Sequence, residues 1–580
     1  MTTTPITDRE SLLATIREGA SSNVLIIGGG INGIATFREL ALNGVDVTLV
    51  ERDDFASGAS SASSHMIHGG IRYLENGEFR LVKESIEERN RLLANAPHYV
   101  KPLRTTIPLH TLFAGIMAAP LRFITHKQRT PKARGALLVK VGLIMYDTFA
   151  GGDKVVPRHE FHGRRRSLEI QPDLDEQVKY TATYYDAAIE NPERLALDVL
   201  RDGLAAGPHA RAVNHVEAVG VDADGRVLLR DRLTGDEITV AADVIVNASG
   251  PWSDLTNRAL GIASKFIGGT KGSHIVVDHS ALYAACAGRE MFFENRDGRI
   301  VLIYPLGGRV LIGTTDLPAN IETDDIVCTE EEIDYFVELV TLVFPRIQVG
   351  REHIVFSFSG VRPLPRIEDT LPGFVSRDYR IEAGSLAGGN VKTLTLVGGK
   401  WTTFRALGEH LSDRVLDLLA HKRTINTVDL TIGGGAGFPE SDRARSAWEA
   451  ARVGERISAG RAIVLLERYG TRADAVIEAI RADDSDFIEF GTSDQLDSAE
   501  VRYLVFAEQA RHLDDVLYRR TALAMTGRIE PSMLPGIAAV MAEELKWTPQ
   551  QVAEELDRAE RLLVRSRSRA LVSARSALSR

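Results

Sequence analysis

The chain has 580 residues, enough for two or three domains each with its own core. Apolar residues make up 44% and charged residues 26%, the balance of an ordinary globular protein, and a formal net charge of −10 argues against nucleic-acid binding. The two cysteines, Cys286 and Cys328, stand far apart in no metal or redox spacing, so no metal site is expected and a reducing, cytoplasmic compartment fits best.

The first twenty residues carry acids and no apolar core, unlike a signal peptide. The longest uncharged stretch, residues 105–121, holds two prolines and falls short of a bilayer span, so no transmembrane helix is expected.

The first strong signal is "NVLIIGGGINGIATFRELALNGVDVTLVERDD". Residues 24–27 form a short β-branched run that predicts a buried strand. From Ile31 the spacing turns helical, with Ile34, Phe37, Leu40 and Ala41 on one face and Gly44 as the stop. A second strand at residues 45–50 ends on Glu51. Gly28, Gly29 and Gly30 lie at the strand-to-helix turn, and Gly33 completes the Gly-x-Gly-x-x-Gly spacing of a dinucleotide fingerprint, with an acid about twenty residues on. Gly28 permits the tight turn, Gly30 lets the backbone approach a pyrophosphate, and Gly33 lets helix and strand pack closely. The helix, opening on Ile31 and Asn32, points unpaired N–H groups at the phosphates. Glu51 can accept from the ribose hydroxyls, with Arg52 beside it. This stretch does not distinguish NAD from FAD.

Further along, residues 57–93 predict a Ser/Gly-rich loop and then a helix with Leu81, Ile86 and Leu92 inward. Residues 242–254 predict a buried strand ending in the small-residue turn "NASGPW". Residues 392–419 predict a strand, a turn at Gly398 and Gly399, and a helix starting near Thr402. Between these pieces, residues 271–279, 289–316 and 353–365 alternate like an antiparallel sheet. From about residue 436 the periodicity is helical.

The motifs "GGGINGI", "SSASSHMIHGGIRYLE", "NASGPW", "KGSHIVV", "IGTTD", "SGVRPL", "SRDYR" and "GGKWTTFR" occur in the order found in FAD-dependent glycerol-3-phosphate dehydrogenases. The chain resembles the bacterial aerobic, quinone-linked members over residues 20–410, and more weakly through "RYGTRADAV" and "HLDDVLYRRT". The resemblance implies an α/β fold with three parts. Residues 20–100, 180–265 and 355–415 would form a discontinuous Rossmann-type FAD domain. Residues 101–179 and 266–354 would form a mixed or antiparallel β substrate domain with membrane contact, and residues 436–580 a helical C-terminal cap. It implies oxidation of glycerol 3-phosphate to dihydroxyacetone phosphate, with electrons passed to a membrane quinone. A glycerophosphate oxidase using oxygen is the nearest alternative, although the insertion those oxidases usually carry is not seen. A non-catalytic flavoprotein is a third reading, which retention of Arg362, Lys400 and His274 argues against. One departure is His65, where the family usually has Lys.

Oxidising a secondary alcohol with flavin needs hydride transfer and removal of the hydroxyl proton, and a phosphate-bearing substrate needs cations, preferably arginines. By resemblance Arg362 and Arg377 contact substrate, Arg72 and Tyr73 line the active site, and Lys400 lies at the flavin's pyrimidine edge. His274 is the preferred base, with an Arg- or Lys-activated water as competitor. Asp316 is either catalytic or, more simply, a turn cap. The FAD set adds Ser60, Ser61, Ser63, Ser64, His68, Gly69, Gly70, Ala248, Gly250, Trp252, Gly399 and Thr402. Membrane docking is expected through residues 113–146, where Arg122, Lys127, Arg129, Lys132, Arg134 and Lys140 interleave with apolar side chains. The expected location is cytoplasmic, peripheral to the inner face of the cell membrane, with a homodimer possible.

Overall fold

The computed structural model describes residues 8–19, 21–71, 78–111, 136–149, 155–295, 299–366, 378–491 and 494–567. Its first unit is β1 (Ser21–Ile27), α1 (Ile31–Leu42) and β2 (Val47–Val50). β1 pairs in parallel with β2 on one side and with Glu237–Asn247 on the other, so Val24 faces both Val47 and Val244. Strands covered on both faces need apolar side chains in succession, and Val24, Leu25 and Ile26 are fully buried. The eight-stranded sheet runs Arg380–Ser385, Lys392–Val397, Glu237–Asn247, β1, β2, Ala210–Val213, with the hairpin Val216–Val221 and Val227–Asp231 attached to the side. The helix after Lys392–Val397 begins at Phe404, two residues later than the sequence suggests.

The larger sheet has ten strands and is mostly antiparallel, with one parallel pair between Arg289–Glu294 and Val100–Leu109. Its centre for function is β3 (Thr270–Val277), flanked by Arg309–Gly313 and by β4 (Ile354–Arg362). Two segments expected in the FAD domain lie here instead. Tyr180–Ile189 pairs along its whole length with Val100–Leu109, and β4 pairs with β3. The first misleads because nearly every residue of it is buried, so it reads like a central parallel strand.

The C-terminal helices include Ala459–Tyr469, Ser498–Ala507, Met533–Leu545 and Pro549–Arg565. They share one core with the large sheet: Leu465, Leu504, Leu517 and Ile537 belong to the same buried cluster as Leu103, Val276, Leu302 and Tyr304. Charge ties them to the cofactor half as well. The Asp54 carboxylate, just beyond β2, accepts from Arg519 Nε at 2.6 Å and Arg520 Nη2 at 2.9 Å.

Of the expected docking segment, residues 113–135 lie outside the described residues. Its end is α2 (Ala136–Phe149), which buries Leu143 and Tyr146 and exposes Leu137, Val141, Ile144 and Met145 by 44, 48, 50 and 38%. No described helix is long and apolar enough to cross a membrane.

Candidate active site

A cavity of about 750 Å³ opens where β1 meets α1. It is lined by Gly28, Gly30, Ile31, Asn32, Glu51, Arg52, Ser60, Ala248, Gly250 and Trp252, all expected at a dinucleotide. Gly28 turns the chain at φ +115°, and a Cβ there would lie 2.6 Å from the Ala248 carbonyl oxygen. Gly33 touches the Gly28 carbonyl oxygen, so helix and turn meet with no room for a side chain. Glu51 reaches across the loop: its Oε2 accepts from Gly29 N–H at 2.6 Å and its Oε1 from Asp53 N–H at 2.9 Å. Burial pushes this carboxyl up to about 7, although both hydrogen bonds oppose the shift. The Arg52 guanidinium lies 4.5 Å over the Trp252 ring, closing one end.

These residues fit a dinucleotide on the structure's own terms. The N-cap Gly30 offers α1 no side-chain acceptor, so α1 begins with main-chain donors, of which Ile31 N–H is taken up by Ser60 Oγ at 3.0 Å. Asn32 Oδ1 is buried without a partner at the same place. A Cβ on Gly30 would meet only Ser60 Oγ at 3.2 Å, so the protein itself leaves that approach open.

Ser60 alone of the four expected serines lines this cavity. Ser61 Oγ donates to the Ser57 and Gly58 carbonyls at 3.1 and 3.0 Å, and Ser63 Oγ accepts from His65 N–H at 3.3 Å. Ser64 turns to the large sheet. His68 precedes the Gly69–Gly70 turn, which is anchored at that sheet's edge, with Gly69 N–H donating to Asp186 Oδ1 at 2.8 Å and its Cα packed under the Tyr146 hydroxyl. Gly399, at φ +113°, packs on Asn32, while Gly398 lines the cavity. Lys400 lies within electrostatic reach of Glu84, and Thr402 is buried. Arg72, Tyr73 and Arg377 lie outside the described residues.

On the large sheet, β3 and β4 bring His274 and Arg362 onto one face. The Arg362 guanidinium lies directly over Gly272, two residues along the strand from His274. It is held at 3.0 Å by Asp316 Oδ1, at 3.0 Å by Thr314 Oγ1 and at 3.2 Å by the Thr315 carbonyl. Asp316 is therefore the partner that aims Arg362, beyond the turn cap suggested by its sequence context. His274 is 1% exposed and stacks on Phe358 with centroids 4.8 Å apart. Burial, then the charge of Arg362, holds it well below the usual histidine range, so it is neutral.

His65, the departure from the family pattern, packs edge-on against Phe358 with ring centroids 6.2 Å apart. It adopts φ +55°, its Nδ1 lies 3.2 Å from both the Ile189 and the Glu190 carbonyls, and burial lowers it to about 4.

The sequence did not flag the cavity's C-terminal wall, to which His512, Asp514, Asp515 and Arg519 contribute. Asp54, His215 and Asp515 come close enough to suggest a metal site. Arg519 and Arg520 already neutralise those carboxylates, so a further cation does not fit.

Residues 23–413 match the model of the FAD dependent oxidoreductase family. The chain belongs to that family. Its cofactor is FAD. In this oxidoreductase residues 425–552 match the C-terminal domain of alpha-glycerophosphate oxidase. A glycerol-3-phosphate dehydrogenase of Synechocystis sp. is 33% identical over 93% of this chain and 96% of its own. A D-erythritol 1-phosphate dehydrogenase of Brucella abortus is 33% identical over 87% of this chain and 95% of its own. The structure of a glycerol-3-phosphate dehydrogenase from Bacillus halodurans complexed with FAD has the same fold, with TM-score 0.73 at 22% identity over 97% and 98% of the two chains.

Proposed function

We propose that this oxidoreductase oxidises sn-glycerol 3-phosphate to dihydroxyacetone phosphate and passes the electrons to a respiratory quinone. The observation that carries this reading is the placement of Arg362 and His274 on one sheet face, a fixed cation beside a neutral imidazole. Bound FAD supplies the hydride acceptor. Arg362, aimed by Asp316 and Thr314, offers forked donors to a phosphate. His274, held on its neutral side by burial and by Arg362, is available for the hydroxyl proton. Lys400, Arg72, Tyr73 and Arg377 complete the proposed site by their place in the shared motifs.

Contact with the inner face of the membrane is part of the same reading. The exposed side chains of α2 form one stripe with Lys140 beside it, an arrangement suited to an anionic bilayer surface. The equally similar D-erythritol 1-phosphate dehydrogenase motivates a second reading, a longer polyol phosphate as substrate. Steady-state turnover of glycerol 3-phosphate and D-erythritol 1-phosphate, each with a soluble quinone analogue and with oxygen alone, tests both. The proposal expects glycerol 3-phosphate with the quinone analogue to give the highest kcat/KM. Faster turnover of the longer substrate, or in oxygen alone, would replace it.

A further inference from the structure

His274 is enclosed in a way that fixes how a proton can reach it. One face of the ring lies on Phe358, and the interplanar angle is only 11°. Across the sheet His274 pairs with Gly313, where a Cβ would overlap the ring, so the position opposite is filled by the imidazole itself. Nδ1 is buried and has no partner. Nε2 meets Ser64 Oγ at 2.8 Å. Ser64 is itself held, because its carbonyl accepts from the Tyr304 hydroxyl at 2.8 Å. Ser64 is half-buried while His274 is sealed, so Ser64 is the more accessible member of the pair. Arg362 lies over Gly272 on the same face of β3, two residues from His274.

We infer that Ser64 is the group that touches the substrate's hydroxyl and hands its proton to His274. With the proposed phosphate at Arg362, the carbinol carbon of a short polyol phosphate falls within reach of Ser64. The alcohol O–H bond breaks toward Ser64 Oγ as the Ser64 O–H bond breaks toward His274 Nε2, in the tautomer that carries its hydrogen on Nδ1. The electron pair left on the substrate oxygen becomes the second bond of the carbonyl, while the carbon's hydrogen leaves with its own pair to FAD. Ser64 ends with one hydrogen, as it began, and His274 holds the extra proton. The serine is thus a catalytic residue, with Tyr304 positioning it. A direct encounter between substrate and His274 would need the ring to leave both Phe358 and Ser64.

The inference rests on oxidation of an alcohol at this site, and its test separates the two. Flavin reduction is followed by anaerobic stopped-flow in H₂O and D₂O, at saturating FAD, for the parent, Ser64→Ala, Ser64→Thr, His274→Asn and the double variant Ser64→Ala/His274→Asn. Failure of the parent to reduce with any polyol phosphate would strike the functional reading itself. If the parent reduces, Ser64→Ala should be slower by roughly a hundredfold, within the range for general acid–base groups, and should lose the solvent isotope effect. Ser64→Thr, which keeps the hydroxyl, should restore most of the rate. The double variant should be no slower than either single variant, because residues acting as one unit are not additive. Losses that multiply in the double variant would overturn the inference. So would a Ser64→Ala protein that binds FAD less tightly but reduces at the parent's rate with the parent's isotope effect, since that is the signature of a serine that only pins its loop.

Discussion

Two glycines in the first turn should fail in opposite ways. At Gly28 an added methyl runs into the Ala248–Ser249 main chain: the Ala248 carbonyl oxygen at 2.6 Å, its carbon at 2.7 Å and Ser249 Cα at 2.8 Å, at φ +115°. An L-residue in that backbone region costs about 1–3 kcal/mol, and overpacking adds about 1–3 kcal/mol more. Gly28→Ala should therefore destabilise the FAD-free protein by roughly 2–6 kcal/mol, the sum of those two costs. Gly30 differs. Its φ of −74° and ψ of 170° suit any residue, and its nearest neighbour is a serine hydroxyl at 3.2 Å. Gly30→Ala should leave the FAD-free protein within about 1 kcal/mol of the parent, since a Gly-to-Ala change at compatible angles is close to neutral or slightly stabilising. Its methyl instead occupies the approach that the pyrophosphate needs, and FAD affinity should fall by roughly a hundredfold, about 2.7 kcal/mol. Denaturant unfolding of the FAD-free proteins and a fluorescence titration with FAD separate the two quantities. A Gly30→Ala protein that binds FAD like the parent, or that unfolds as readily as Gly28→Ala, would refute the placement of the cofactor at this turn.

Three further outcomes are expected. Arg362→Ala should lose charge-assisted hydrogen bonds worth on the order of 3 kcal/mol, about a hundredfold in kcat/KM for glycerol 3-phosphate, with the flavin spectrum unchanged. His65 is neutral in the fold to about pH 4 but titrates near 6.5 when unfolded, so its contribution is full above pH 6.5 and is lost as pH falls toward 4. That window amounts to about 3 kcal/mol, and His65→Asn should flatten the acid side of a stability-versus-pH curve by that much. Leu137→Glu with Ile144→Glu should move the protein to the supernatant in co-sedimentation with anionic liposomes and slow quinone reduction, leaving activity with a soluble dye intact. Added salt should weaken the parent's binding without abolishing it.

The β1–α1–β2 turn was legible in the sequence because its logic is local: glycine spacing, helical period and an acid at the end of the next strand all lie within thirty residues. The long-range pairing of β3 with β4 was half legible. Alternation grouped residues 353–365 with the antiparallel strands, where β4 does lie, although the domain bounds drawn from the resemblance put it with the cofactor. Nothing in the local pattern assigned Tyr180–Ile189 to the larger sheet, since a strand buried on both faces looks alike in either. The internal partners of the serine loop were illegible for a related reason. Composition marks it as able to hold phosphate, yet Ser64 is committed by a partner 210 residues away. The same holds for the cavity's C-terminal wall. Asp54 and Arg520 are 466 residues apart in sequence and fully buried together, a pairing that no periodicity displays. The odd feature that was visible, "HLDDVLYRR", was its charge density inside an otherwise apolar helical stretch.

Electrons from glycerol 3-phosphate should reach FAD in this oxidoreductase with no other acceptor present. Anaerobic addition of glycerol 3-phosphate to the purified yellow protein, with absorbance followed near the oxidised flavin band, tests it without any acceptor. The band should bleach within the turnover time, in proportion to substrate up to one equivalent per flavin, and recover when a quinone analogue is added. A protein that keeps its oxidised spectrum with glycerol 3-phosphate, yet bleaches with D-erythritol 1-phosphate or with no polyol phosphate at all, would contradict it.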